Sequence, residues 1–239
     1  MPARPTEFFL PKHPSIKQVS SFHELVTTPF EEEVNALCWQ RTWVGDFAEV
    51  IAKLGVGEGI TTLEEDDLLG LTLSAAGRQA VEVLIQDQKR LREHGLDPVL
   101  DCVNGYLRDE EPGPVPTDVY SFHVDSATVE TDTYLCTYIG PTSEGLLNDE
   151  AQRKVDLPEI RAALLQMHER EDEAAFQAFL SENCFDLHYA PLPGARPYPF
   201  GLGNLWRIAV QYPGCPVPPC IHRAPETAVG DSTRLLLIS

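Results

Sequence analysis

The chain has 239 residues, and its 18 Lys and Arg against 37 Asp and Glu give a formal charge of −19. Nucleic-acid backbones and anionic lipid surfaces are bound by releasing counterions to Lys and Arg, so this charge excludes a general nucleic-acid binder and a polybasic membrane protein. With 43% hydrophobic and 23% charged residues the composition is that of a globular protein, and such a length buries roughly 70% of the unfolded surface without a disulfide or metal staple.

Residues 1–33 are punctuated by proline and end in Glu31-Glu32-Glu33, which predicts an N-terminal arm. The opening Met1-Pro-Ala-Arg-Pro lacks the apolar centre of a secretory signal, and no apolar run approaches the roughly 20 residues that span a bilayer. The expected location is the cytoplasm, with no membrane partner. There the six cysteines (Cys38, Cys102, Cys136, Cys184, Cys215, Cys220) should be reduced. Regular structure should begin with a strand over 34–39. Asp46 is placed to cap a helix carrying Phe47, Val50, Ile51 and Leu54, with Gly55 as its stop. The clearest helix runs over about 75–94: Val81, Leu84, Ile85 and Leu91 share a face, and Lys89, Arg90, Arg92 and His94 crowd the negative end of its dipole. Asp97 and Pro98 open a second, shorter predicted helix to about Tyr106. Its Arg108 is followed by Asp109-Glu110-Glu111, which would repel phosphate, so the helix pair is not read as a DNA-recognition motif.

After Pro112-Gly-Pro-Val-Pro116 the hydrophobic period changes to two, predicting strands over 119–125 and 132–139. Helical spacing returns over about 158–181. The stretch 191–219 is rich in Pro and Gly around one predicted strand at 205–211, and the apolar run 233–239 predicts a last strand. Helices first and strands later point to the α+β class.

His123-Val-Asp125 carries the clearest chemistry. Residues two apart in a strand project to one face, so this imidazole and carboxylate would stand together. They supply two-thirds of a two-His-one-carboxylate set, which holds Fe(II) and leaves positions open for substrate and oxygen. His222, in Cys220-Ile-His-Arg-Ala-Pro225, is the candidate third ligand. In a double-stranded β-helix early and late strands pair, so His222 can meet His123 and Asp125. Arg234, at the start of the last strand, could grip a carboxylate bound at the metal. Arg223 competes for that role, although adjacency to His222 turns it to the other face. Tyr120, Tyr134, Tyr138 and Trp206 are expected to wall the pocket.

Five blocks, Asn35-Ala-Leu-Cys-Trp-Gln-Arg41, Phe122-His-Val-Asp125, Leu135-Cys-Thr-Tyr-Ile-Gly-Pro141, Ile221-His-Arg-Ala-Pro225 and Arg234-Leu-Leu-Leu-Ile238, resemble successive blocks of the bacterial domain-of-unknown-function family 1826. The similarity covers the chain from about residue 34 to its end. Members of that family occur near metal-homeostasis genes, so the resemblance implies a metal site without naming the metal or a reaction. The chain departs from the family at Pro141-Thr-Ser-Glu-Gly145, where an aromatic residue is expected after the acid. Separately, the order H-x-D, H, R is similar to that of the Fe(II)/2-oxoglutarate-dependent oxygenases. That similarity implies iron on His123, Asp125 and His222, and Arg234 on the distal carboxylate of 2-oxoglutarate.

Zinc is the alternative metal, with Cys215, Cys220 and His222 as thiolate and imidazole ligands, although C-x4-C-x-H is not a standard zinc spacing. His188 is the one other histidine considered, as an auxiliary ligand. No nucleophile elbow, P-loop or dinucleotide fingerprint is present, and Gly55-Val-Gly-Glu-Gly59 is too acidic to cradle phosphate. The expectation is one domain over 34–239, with a mainly helical part (34–111) packed on a double-stranded β-helix, a cupin-like jelly roll (117–239), that carries the helical insert. The expected function is oxidation of a small molecule or protein side chain by Fe(II) and 2-oxoglutarate. The alternatives are a non-catalytic zinc-binding or sensing protein on the same barrel and an acidic interaction module.

Overall fold

A computed structural model describes residues 8–106, 113–168, 172–226 and 233–239. Residues 1–5 of the opening motif, and Arg108 with the acidic run at 109–111, lie outside them. The first described elements are β1 (Ile16–Val19), α1 (Phe22–Thr27), β2 (Ala36–Trp39), α2 (Phe47–Leu54), β3 (Gly59–Thr62), α3 (Glu65–Leu69), α4 (Ala75–Glu93) and β4 (Val99–Asn104). There follow β5 (Asp132–Ile139), β6 (Glu144–Leu146), β7 (Ala151–Arg153), α5 (Pro158–His168), α6 (Glu173–Glu182), β8 (Tyr189–Pro191), β9 (Tyr198–Pro199), β10 (Leu205–Ala209), β11 (Ile221–Arg223) and β12 (Arg234–Ile238). The protein is therefore α+β, with a large and mostly antiparallel sheet. No described helix is long and apolar enough to cross a membrane.

The large sheet has seven strands in the order β1-β2-β10-β5-β12-β4-β3. One face is covered by helices. Leu84 and Leu91 of α4, Val50 of α2 and Leu68 of α3 pack there against Leu100, Cys102, Tyr134, Cys136, Leu235 and Leu237. These strand residues recur at every second position, as the pleat requires. The helix layer is fixed by local chemistry. The Asp46 side chain accepts from the amide of Glu49, and that of Ser74 from Gly77, each cap contributing about 1 kcal/mol. Asp87, fully buried on α4, accepts from Arg41 at 2.7 and 2.5 Å, from Arg90 at 3.0 Å and from the Tyr138 hydroxyl at 2.7 Å. A buried carboxylate with this many donors ties helix to sheet.

The other face of the large sheet carries Leu135, Trp206, Ile208 and Leu236, packed with Tyr198, Phe200 and Cys220 from the small sheet β11-β6-β9. Segment 121–126 extends that small sheet. His123 and His222 exchange both backbone hydrogen bonds at 2.9 Å, and on its other side Val124 donates to Leu187 and Tyr189 to Phe122. The predicted strand at 119–125 is thus present as paired backbone, short of a full ladder.

Two expectations are corrected. The segment after Asp97-Pro98 is strand β4, not a helix, because Leu100 and Cys102 alternate toward the helix layer while β4 pairs β12 on one side and β3 on the other. Residues 1–33 are not all an arm, since β1 pairs β2 in parallel and α1 follows it, with Leu25 fully buried.

Candidate metal centre

The exchanged bonds between His123 and His222 make them a directly opposed antiparallel pair, whose side chains must share a face. That face is the inner one, turned toward the large sheet; Phe122, Val124 and Ile221 pack on the outer face. Asp125, two residues on, returns to the inner face. One ligand atom from each of His123, Asp125 and His222 lies within 4.8 Å of the others, the one such group among the described residues. Asp125 Oδ1 stands 3.9 Å from His123 Nε2 and 3.8 Å from His222 Nε2.

Neighbouring groups orient these donors. His123 Nδ1 is 2.8 Å from the Ser121 carbonyl oxygen, and His222 Nδ1 is 3.4 Å from that of Cys220. A carbonyl only accepts, so in the neutral rings Nδ1 carries the proton and Nε2 offers its lone pair to the centre. Thr133 Oγ1 donates to Asp125 Oδ2 at 2.5 Å, leaving Oδ1 for the cluster. Burial, reinforced by His222, pushes the His123 pKa down to about 4, so the ring is a neutral donor at pH 7. Burial alone would raise Asp125, but His222, the Thr133 bond and His123 together hold it below the usual carboxylate value. Two imidazoles and one carboxylate, with no fourth ligand in the group among the described residues, are a donor set that could hold a divalent transition metal.

Arg234 lies on the same inner face as Leu236 and is only 1% exposed. Its Nη1 donates to the Tyr106 hydroxyl at 2.8 Å, and its Nη2 to Ser143 Oγ at 3.0 Å and Thr137 Oγ1 at 3.5 Å. All three acceptors are neutral. Its Nε is buried with no hydrogen-bond partner, and among the described residues no carboxylate lies within ion-pair distance. Burial lowers its pKa, opposed by Tyr106 and Tyr120, yet a guanidinium stays protonated in proteins. Among the described residues, then, this buried charge is satisfied by neutral hydroxyls alone. Gly140 makes room behind it: at φ +87, a Cβ there would meet the Thr233 carbonyl at 2.6 Å and Arg234 Cα at 2.9 Å.

Of the other expected site residues, Arg223 is on the outer face, held by Glu144 at 2.7 and 2.8 Å and stacked over Phe122; its charge is already spent. Tyr134 and Tyr138 do not wall the pocket. They stand at even positions of β5 and face the helix layer, where Tyr138 donates to Asp87. Trp206 does lie on the inner face, paired with Leu135 and stacked on Phe200. Tyr120 packs edge-on against Tyr106 beside Arg234. Cys220 is buried next to His222 on the inner face, while Cys215 turns its thiol to the Val217 carbonyl. The two cysteines and His222 form no ligand group among the described residues. His188 is directly across from His123 on the side away from His222, with ring centroids 5.7 Å apart, but stands outside the ligand group.

Residues without a sequence signal complete the site: Tyr106, Thr137 and Ser143 around Arg234, and Thr133 on Asp125. In the departing turn at 141–145, Ser143 serves Arg234, Glu144 serves Arg223, and a Cβ at Gly145 would meet the Tyr198 ring at 2.2 Å. An aromatic from elsewhere in the chain thus covers the backbone here. No protein-family model matches the chain, and no curated protein or solved structure is significantly similar to it.

Proposed function

We propose that the chain is a cytoplasmic non-haem Fe(II)/2-oxoglutarate-dependent oxygenase on a double-stranded β-helix, hydroxylating a small molecule or a protein side chain. The observation that carries this reading is Arg234, a buried guanidinium with no counterion among the described residues, on the same inner face as a two-His-one-carboxylate group. A divalent metal, one carboxylate and one guanidinium leave two positive charges, which a dicarboxylate would neutralise. This matters in a chain of charge −19, whose overall field repels such an anion.

Geometry supports the same ligand. Thr133 holds Asp125 and Thr137 touches Arg234, both on the inner face of β5. At about 3.3 Å per residue they are roughly 13 Å apart along the strand. Asp125 and Arg234 are held at the two ends of that interval, and a short diacid is of a length to link a metal at one end to the guanidinium at the other. Leu135 and Trp206 lie on the inner face between the two polar ends, packed with Tyr198, Phe200 and Cys220. The pairing also fits the proposed barrel. In a double-stranded β-helix the first strand pairs the last, the second pairs the seventh, and the inner strands interleave. Here β4 pairs β12, segment 121–124 pairs β11, β5 lies between β12 and β10, and β6 lies between β11 and β9. The five blocks that resemble family 1826 fall on or beside these strands, and membership of that family is part of the proposal. All six cysteines are free, in keeping with a reducing compartment.

When bound, Fe(II) and 2-oxoglutarate would supply the oxidising power to functionalise a C–H bond with O2. The chain's own residues do the rest. Ser121 and Cys220 carbonyls fix the imidazoles, Thr133 fixes the carboxylate, Arg234 orients the diacid, and the apolar Leu135, Trp206 and Leu236 keep water from the reacting side. Zinc suits the same donors, and a zinc-binding or sensing protein is the second reading. It leaves the Arg234 charge without a use.

Anaerobic equilibrium dialysis separates them. The oxygenase reading expects one Fe(II) per chain, 2-oxoglutarate binding that requires the metal, and loss of both in His222→Ala. Tight Zn(II) binding with no metal-dependent binding of the diacid overturns it.

A further inference from the structure

Lys154 follows β7, and its amide donates to the His188 carbonyl at 2.8 Å. Its half-buried ammonium donates to Ser121 Oγ at 2.8 Å, and Ser121 Oγ lies 3.0 Å from His188 Nδ1. Among the described residues no carboxylate comes within ion-pair distance of it. Asp118, the acid whose field reaches it, spends Oδ1 on the amides of Tyr120 and Ser121. In a chain with twice as many acids as bases, a half-buried lysine with no carboxylate partner among the described residues is a costly arrangement. An ammonium only donates, so Ser121 Oγ accepts from Lys154, and its own proton is directed to His188 Nδ1. That bond leaves the His188 Nε2–H as a second donor. His188, His123 and His222 form one row across the small sheet, since His188 and His222 flank His123 as direct cross-strand neighbours. His188 therefore shares the inner face with the metal ligands, and Lys154 stands at the flank of the row remote from β6 and Ser143, where Arg234 is held.

We propose that Lys154 and His188 form a second anion-reading subsite beside the metal centre, and that the molecule to be oxidised is a carboxylic acid held there by its carboxylate. The inference rests on the oxygenase reading for the word oxidised, but the subsite itself uses no metal ligand. Two cations on opposite flanks divide the work: Arg234 takes the cosubstrate and Lys154 the substrate.

The test is ligand-observed NMR with acetate, butyrate, hexanoate and phenylacetate against their primary amides, on protein in EDTA and on Ni(II)-loaded protein. Acids should bind and the amides should not. Lys154→Met should weaken the acids about tenfold or more, Lys154→Arg should restore them, and Arg234→Met should leave the preferred acid in place. Equal binding of acids and amides, binding unchanged in Lys154→Met, loss in Arg234→Met instead, or no acid binding at all overturns the subsite. Fe(II) and 2-oxoglutarate binding, measured on the same preparations, isolates the oxygenase reading: acid binding through Lys154 without them would leave the subsite standing and refute the oxygenase.

Discussion

Replacing Arg234 by Met removes the guanidinium while keeping most of the side-chain volume. Two terms oppose each other in the ligand-free protein. As when a buried ion pair is replaced by apolar residues of similar volume, removing the desolvated charge should be neutral or stabilising by about 1–4 kcal/mol. Against this, Tyr106, Ser143 and Thr137 lose their donor, and each hydroxyl left unsatisfied costs about 1–3 kcal/mol unless it rotates to a new partner. Hydroxyls reorient readily, so the two nearly cancel and the net change should be within about 2 kcal/mol. For a chain of this size that is a shift in Tm of less than about 8 °C. The binding term has no such cancellation. A charge-assisted, bidentate contact to a carboxylate in a buried site contributes about 3 kcal/mol or more, which is a hundredfold or greater loss in affinity for 2-oxoglutarate. Differential scanning calorimetry of the metal-free variant, paired with titration of 2-oxoglutarate into the Fe(II)-loaded variant under anaerobic conditions, reads both. A Tm drop well beyond 8 °C together with unchanged diacid affinity would refute the reasoning and make Arg234 a structural residue.

His123→Ala and His222→Ala should each abolish stoichiometric metal binding while far-UV circular dichroism stays that of the parent; metal retained in either variant contradicts the ligand assignment. Burial holds His123 and His188 at pKa values of about 4 against the usual 6.5, so between those values the unfolded chain binds more protons. The stability of the metal-free protein should therefore fall as pH drops from about 6.5 toward 4, and a flat Tm profile there, measured in EDTA, counts against it. Asp87→Ala leaves Arg41 buried beside Cys136 without its carboxylate, and should cost about 3–5 kcal/mol, or roughly 6–20 °C in Tm. Gly140→Ala drives a Cβ into the backbone behind Arg234; it should lower Tm by several degrees and weaken diacid binding together, and an effect on neither would contradict the placement of Arg234.

The long helix was legible because its apolar face and its caps agree. Ala80, Val81, Leu84 and Leu91 are buried at helical spacing, and α4 begins after Ser74 and ends at Glu93, close to the expected limits. The predicted helix over about 158–181 is two, α5 and α6, since Asp172 caps a new start. After Asp97-Pro98 local helix signals mislead, because β4 gains its stability from pairing on both edges, a tertiary term that no window of sequence contains. The His123, Asp125 and His222 cluster was legible for a reason of geometry: strand period puts His123 and Asp125 on one face, and a late strand returning beside an early one delivers His222. The groups that tune them were not. Thr133, Ser143, Tyr106 and Lys154 are ordinary residues in their local sequence and acquire roles only through register and sheet packing. Tyr134 and Tyr138 mislead for the same reason, because alternation says that they share a face but not which layer covers it.

The central claim is that one inner face holds both a metal and a diacid. Anaerobic absorption spectroscopy tests it most directly: adding Fe(II) and then 2-oxoglutarate should produce a weak visible charge-transfer band in the parent protein, absent in His222→Ala and strongly weakened in Arg234→Met at the same diacid concentration. A parent protein that binds Fe(II) yet gives no band at saturating 2-oxoglutarate, or a band unaltered in both variants, would contradict the account.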